Sequence, residues 1–201
     1  FAPDGPAVVW ERQSLVKARV VAGGKASAER VKSLVNSAVY EQSWKQGDVR
    51  EIYLMRLRME ETAAKNNLKR GPGGVVDIEF IVQMLQLLHG KKYKNLQTPS
   101  TLFALEVLAD VGLMGDDTAT SLRNAYGLLR KIEGRLRLLD VRLGHTFPEG
   151  YRERNQLANL LNRQDGQALA DEVLQTTRMV RRVFNDIFSQ AESQLAGDKT
   201  N

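Results

Sequence analysis

Two cations, Lys69 and Arg70, lead into the turn Gly71-Pro72-Gly73-Gly74, and two carboxylates, Asp77 and Glu79, follow it. Cations, glycine amides and acids in so short a stretch admit three kinds of chemistry. Free amides at a helix N-terminus, helped by the helix dipole, favour an anion. Glycines let a ligand approach the backbone closely. A D-x-E pair invites a divalent cation. Each has a counter-argument. The turn is no Walker loop, because no Lys-Ser/Thr follows, and no dinucleotide fingerprint, because no strand pattern precedes it. Asp77 in the first helical turn repels a phosphate. On one helix, Asp77 and Glu79 stand about 200° apart, so they cannot grip one ion together. Glu79, Gln83 and Gln86 instead share a stripe on a segment that is otherwise apolar almost all round. Two readings stay open. The stripe lines a cleft, or the acids form internal salt bridges with arginines of the segments 48–66 and 117–143, because buried unpaired carboxylates cost several kcal/mol.

A second group of polar residues is Arg12, Gln13, Lys17 and Arg19, and a third is Arg50, Arg56 and Arg58. In a continuous helix Gln13 and Lys17 share one face, Arg12 and Arg19 another, and Arg56 and Arg58 point apart. Solvated charge is the default reading for both groups. His89 closes an apolar helix, where it can satisfy end carbonyls, and His145 sits in a loop. No Ser-His-Asp arrangement can be built.

Apolar residues recur three and four apart through long stretches without proline, and strand-like alternation is nearly absent. The expected fold is all-α, a multi-helix bundle of about seven to eight helices with a long C-terminal helix. The first helix is expected from Pro6 to about Val21, with Trp10, Leu15, Val16 and Val20 inward and Gly23-Gly24 as its stop. Ser27 caps the second, which buries Val31, Leu34, Val35, Ala38 and Val39. The third spans about Asp48 to Asn66, with Ile52, Met55 and Met59 inward and Arg50, Glu51, Arg56, Arg58, Glu60 and Glu61 as a charged surface. The central helix runs from about Val75 to Leu88. After an exposed link, Gly90 to Asn95, come helices from Thr98-Pro99 to Gly112, from Asp116 or Asp117 through Leu139, from Tyr151 to Asn162, and from Gln167 to about Leu195. Gly144 to Gly150 is expected as a loop.

The 201 residues suffice for a full core, and 42% hydrophobic with 26% charged residues argues against disorder. The absence of cysteine excludes disulfides, thiolate metal sites and cysteine nucleophiles. No apolar run reaches the roughly 18 residues of a membrane span. The net charge of +5 is mixed along the chain, without the aromatic-interleaved basic stretch of a nucleic-acid module. Neither membrane nor nucleic acid is expected as a partner. The first residues carry no signal-peptide pattern and no starting Met, so the chain reads as a piece cut from a longer protein.

Three motifs, WERQSLVKARVVAG (Trp10 to Gly23), MRLRME (Met55 to Glu60) and LKRGPGGVVDIEFIVQMLQL (Leu68 to Leu87), carry a resemblance. Together they are similar to the glutamine synthetase adenylyltransferase/adenylyl-removing family, in the helical domain that follows its nucleotidyltransferase domain, which is related to PII uridylyltransferase. The resemblance implies a multifunctional, cytoplasmic nucleotidyltransferase of nitrogen metabolism that uses ATP and magnesium. One half transfers AMP to a tyrosine of glutamine synthetase and the other removes it, under control of PII protein. Val76-Asp77-Ile78-Glu79 and WERQSLVKAR lean towards the transferring half. The catalytic Gly-Ser turn and Asp-x-Asp pair of that family are missing here. No catalytic residue and no metal ligand is therefore expected in this chain, and the chain alone is expected to be inactive. Residues 1–24 would be a linker helix from an upstream nucleotidyltransferase domain, 25–196 the helical domain, and 197–201 a disordered tail. Lys69, Gly71, Gly73, Gly74, Asp77, Glu79 and Gln83 would line the cleft, with Arg12, Lys17, Arg19, Arg56 and Arg58 as secondary candidates. Asp77→Asn or Glu79→Gln would then reduce transfer in the full-length enzyme far more than it reduces melting temperature. The competing readings are a stand-alone helical interaction module and a PII uridylyltransferase fragment.

Overall fold

The computed structural model describes residues 8–45, 47–139 and 144–197. Among these the fold is all-α, with eight α-helices and no strand; only an isolated antiparallel bridge, Asn67 with Thr146, interrupts the pattern. The helices are α1 (Val9–Leu15), α2 (Lys25–Tyr40), α3 (Asp48–Glu61), α4 (Val75–His89), α5 (Thr101–Asp110), α6 (Asp116–Leu139), α7 (Tyr151–Leu160) and α8 (Gly166–Gly197). A 3-10 turn, Lys94–Leu96, precedes α5. The longest helix is the C-terminal one, as its uninterrupted heptad-like spacing predicts. Among the described residues no helix is long and apolar enough to cross a membrane.

The chain divides into two compact units. Of the described residues, the first holds those up to Met55, Phe80–Ala119 and those from Phe188. Its core is set by Val39, Ile52, Ile81, Met84, Leu105 and Leu108, none of them measurably exposed. Each such side chain contributes about 1.5–3 kcal/mol by leaving water. The second unit holds Arg56–Glu79 and Thr120–Ile187. There α6 turns Leu122, Leu129, Ile132 and Leu136 inward, spaced by seven, three and four, and α8 adds Leu169, Val180 and Phe184.

Several boundaries differ from the sequence expectation. Helix α1 stops at Leu15, where its last turn tightens to three-residue bonds such as Ala18 N–H to Leu15 O at 2.9 Å. Pro6 and the other residues before Val8 lie outside the described residues. The inward face of α1 is Val9, Arg12, Gln13 and Val16, while Trp10 and Val20 are 41% and 42% exposed. Arg19 lies beyond the helix, so it shares no face with Arg12. Gly24, not Ser27, occupies the N-cap of α2. The apolar side of α2 is open for most of its length: Val39 is buried, but Val31 and Leu34 are exposed. Helix α3 ends at Glu61, five residues early. Ser100 caps α5 by accepting from Phe103 N–H at 3.3 Å, so the helix begins after Pro99. The remaining helices begin and end within two residues of expectation. The expected tail begins at Gly197; that residue ends α8, and 198–201 lie outside the described residues.

In the first unit, His89 ends α4. Burial, followed by the charge of Lys92, holds its pKa below the ordinary 6.5. Below pH 6.5 the unfolded chain therefore takes up this proton first, so stability falls as the pH drops towards the folded value. The expected result is that His89→Gln flattens the decline of the urea midpoint between about pH 6.5 and pH 5. An unchanged slope would show that His89 does not titrate in this way.

Candidate functional site

The glycine turn is built in the second unit from its own backbone outward. Asn66 adopts φ +59°, and the Asn67 side-chain oxygen accepts from Lys69 N–H at 3.0 Å and Arg70 N–H at 2.8 Å. That asparagine turn fixes the backbone at the two cations, and Arg70 donates to Thr62 O at 3.0 Å. The amides that follow are then used up in order. Gly73 N–H donates to Asp77 Oδ2 at 2.7 Å. Gly74, Val75, Val76 and Asp77 N–H donate to the carbonyls of Gly71, Leu68, Lys69 and Gly74, at 3.0 to 3.1 Å. The start of α4 thus keeps no free amide between Gly73 and Asp77 for an anion. The phosphate-cradle reading fails for that reason, whatever the helix dipole offers.

Gly73 is required by geometry twice over. Its φ is +71°, and an added Cβ would lie 1.8 Å from the backbone oxygen of Thr177 in α8. A Cβ on Gly74 would come within 2.6 Å of Leu68 O. The turn is pressed against α8 with no room for a side chain.

Asp77 is the centre of a closed ionic cluster. It is fully buried, and so is Arg56, whose Nε lies 2.5 Å from Asp77 Oδ1. Arg181 of α8 reaches Asp77 Oδ2 at 3.2 Å and Glu60 at 2.9 Å. Arg56 also approaches Glu60 at 3.4 Å and donates to Gly71 O at 2.9 Å. Two guanidinium groups thus meet two carboxylates, and the cluster ties α3, the turn, α4 and α8 together within one unit. Only a paired arrangement of this kind makes such buried charge tolerable. The internal-salt-bridge reading therefore describes Asp77 correctly. Arg56 comes from the expected segment, but the second partner is Arg181 rather than an arginine of α6. Arg56 is not part of the charged surface of α3. It continues the inward line Val49, Ile52, Arg56, at spacings of three and four, and that spacing was its visible signal. Arg58 is exposed, on a different face.

Glu79 is half-buried and accepts from Tyr126 Oη of α6 at 3.0 Å. Lys69 is half-buried and makes no ion pair among the described residues. Neither is enclosed as Asp77 is. Gly71, Gly73 and Gly74 are buried and present no side chain.

The other candidates lie in the first unit. Gln83 accepts from Gln13 Nε2 at 2.8 Å, and both are buried. Gln86 donates to Leu96 O and Thr98 O at 2.7 and 2.8 Å. Arg12 is 5% exposed, donates to Val39 O at 3.3 Å and stands 3.9 Å from Asp48. Burial lowers its pKa, with Asp48 opposing the shift. Lys17 reaches Thr101 Oγ1 at 2.5 Å and Pro99 O at 3.2 Å. Arg12 and Gln13 are therefore interior, Lys17 is half-buried and tied to the start of α5, and Arg19 alone of that group is exposed.

A further buried acid escaped the sequence reading. Glu133 of α6 is 2% exposed and lies 2.6 Å from His145 Nδ1 and 2.7 Å from Arg130. The same loop is held to the turn segment by Leu68 N–H to His145 O at 2.8 Å and Phe147 N–H to Asn66 O at 2.9 Å. Its signal was position: Glu133 interrupts the apolar stripe Leu129, Ile132, Leu136.

Comparison with known proteins agrees with the motifs. The family model described as GlnD PII-uridylyltransferase matches residues 50–188. A bifunctional glutamine synthetase adenylyltransferase/adenylyl-removing enzyme of Streptomyces coelicolor is 37% identical over 159 residues, 77% of this chain and 16% of the relative. The enzyme of the same name from Xanthomonas campestris pv. campestris is 32% identical over 193 residues, 94% of this chain and 21% of the relative. That from Corynebacterium diphtheriae is 39% identical over 151 residues, 71% of this chain and 14% of the relative. The chain thus spans about a fifth or less of the length of these relatives. The matched stretch runs through both units and spans the turn and α4, so the chain belongs to the family of the GlnD PII-uridylyltransferase model, and within it is similar over most of its length to the glutamine synthetase adenylyltransferase/adenylyl-removing enzymes.

Proposed function

We propose that this chain is the helical domain of a glutamine synthetase adenylyltransferase, from the half that transfers AMP from ATP to a tyrosine of glutamine synthetase. The observation that carries the reading is the identity to enzymes of that name over most of the chain, together with the fraction of their length it covers. Val76-Asp77-Ile78-Glu79 favours the transferring half over the removing one. In this reading residues 1–24 link an upstream nucleotidyltransferase domain to the helical domain, the protein works in the cytoplasm, and glutamine synthetase and PII protein are its partners.

The cluster at Asp77 gives the domain a positioning role. It locks the turn and the start of α4, so that the two less enclosed groups, Lys69 and Glu79, face the neighbouring domain from fixed backbone. Gly71, Gly73 and Gly74 let that turn pack, and Gln83 holds α4 to α1 through Gln13.

The residues present do not suit a magnesium ion. Both oxygens of Asp77 already face guanidinium groups, and Glu79 accepts from a tyrosine hydroxyl. ATP and magnesium are accordingly assigned to the nucleotidyltransferase domain, and this chain alone is expected to be inactive.

The test uses the longer protein. Glu79→Gln keeps an oxygen for Tyr126, so its melting temperature should fall by less than about 2 °C. Transfer of AMP to glutamine synthetase should fall at least about tenfold, the scale of one lost charged contact. Retained activity would remove Glu79 from the cleft. Transfer by the 201-residue chain alone, given ATP and magnesium, would overturn the division of labour.

A further inference from the structure

A cavity of about 610 Å³ opens in the second unit beside the glycine turn. Leu68, Phe147, Ala170 and Val173 supply apolar wall, and Gly71 and Pro72 form one edge. The charged groups around it are matched with one exception. Glu60 is held by Arg56 and Arg181, and Lys65 pairs with Glu149 at 2.9 Å. The exception is Arg154 of α7. It lines the cavity, its Nε is buried and makes no hydrogen bond, and it has no acidic partner among the described residues. Arg163, nine residues on, shows the contrast: it forks onto Glu172 at 2.6 and 2.7 Å. Arg154 as a whole is only half-buried, so its charge stands at the cavity wall with no carboxylate of the described residues to offset it. A wall that is mostly apolar, with polar groups converging on it, in a space of this volume, is a usual feature of a small-molecule pocket.

We propose that this cavity binds a small amphipathic carboxylate, its apolar body against Leu68, Phe147 and Val173 and its carboxylate on Arg154. The inference goes beyond the functional reading above and does not rest on it. An occupant would touch Gly71 and Pro72, and so would bear on the turn that Asp77 and Arg56 hold. The single uncompensated cation selects one negative charge, and the carboxylates of Glu60 and Glu149 disfavour a second.

The test is a titration of the isotope-labelled chain with indole-3-acetate and with its neutral counterpart indole-3-acetamide, followed by amide chemical shifts. Indole-3-acetate should shift the amides of Gly71, Phe147 and Ala170 saturably, and should bind about tenfold tighter than the amide, the worth of one charge-assisted hydrogen bond. Arg154→Met should erase that preference. Ala170→Phe, which alters no charge, should block both compounds. Equal affinity for the two compounds, shifts confined to other regions such as the groove near Leu15 and Val35, or no saturable shift would overturn the proposal. If Arg154→Met fails to fold, the wild-type preference and the Ala170→Phe block still decide it.

Discussion

Asp77→Asn is expected to destabilise the folded chain by about 3–5 kcal/mol, the range for stranding one partner of a buried ion pair. Asparagine keeps the shape of the side chain and one acceptor for Gly73. It removes the nearer of the two charges facing Arg56, the one at 2.5 Å in a site where neither group has any exposure, and leaves Glu60 at 3.4 Å. The melting temperature should drop by about 6–20 °C. A companion variant separates charge from packing. In Arg56→Met with Asp77→Leu both charges leave together, while Arg181 and Glu60, 2.9 Å apart, keep each other. That double variant should lose less stability than Asp77→Asn alone. Thermal melts of the three proteins decide the matter, and an Asp77→Asn melt within about 2 °C of wild type would sink the account. This reverses the order expected from the motif, in which activity would fall and stability hold. Full burial and three basic or amide partners place Asp77 under the turn rather than at a cleft wall, and that order is kept for Glu79 alone.

Gly73→Ala should be comparably severe, on the order of 3 kcal/mol or more. Two penalties add. Alanine at φ +71° costs about 1 kcal/mol, and its Cβ would fall 1.8 Å from Thr177 O. The obstacle is backbone in the middle of α8, so no side-chain change at Thr177 can relieve it. Either α8 moves away or the turn opens, and both disturb the 2.7 Å bond from Gly73 N–H to Asp77. Chemical denaturation should show a lower midpoint, and Thr177→Ala should fail to restore it. A Gly73→Ala protein with an unaltered midpoint would mean that the turn does not pack on α8 in solution.

Much of the fold was legible because helical periodicity is a local property. Leu122, Leu129, Ile132 and Leu136 announce the buried face of α6 by spacing alone, and the long uninterrupted pattern after Gln167 announces α8. The errors fall where tertiary contacts override local preference. Val31 and Leu34 have helical spacing, yet nothing in the described chain covers them. Arg12 and Arg56 have surface residue types, yet both lie in the interior because Asp48 and Asp77 meet them there. Helix α1 stops at Leu15 although the residue types to Val21 would let it continue, and Lys17 instead reaches Thr101, 84 positions away.

The candidate site divides along the same line. From spacing alone, Asp77 and Glu79 had to part, since two residues on one helix lie about 200° apart. Their partners, Arg56 with Arg181 and Tyr126, confirm that separation. The motif from Leu68 to Leu87 carried the family by itself, because a run of residue identities needs no coordinates to be matched. What Asp77 does was another question. Arg181 stands 104 positions away, and no local pattern joins the two; only the packing of α8 on the turn brings them within 3.2 Å. The tertiary structure also closed the anion reading, by committing each amide from Gly73 to Asp77 to a nearby oxygen. Helix, turn and family followed from local order along the chain, whereas the choice between a binding loop and a packed anchor depended on which distant groups the folded chain set against it.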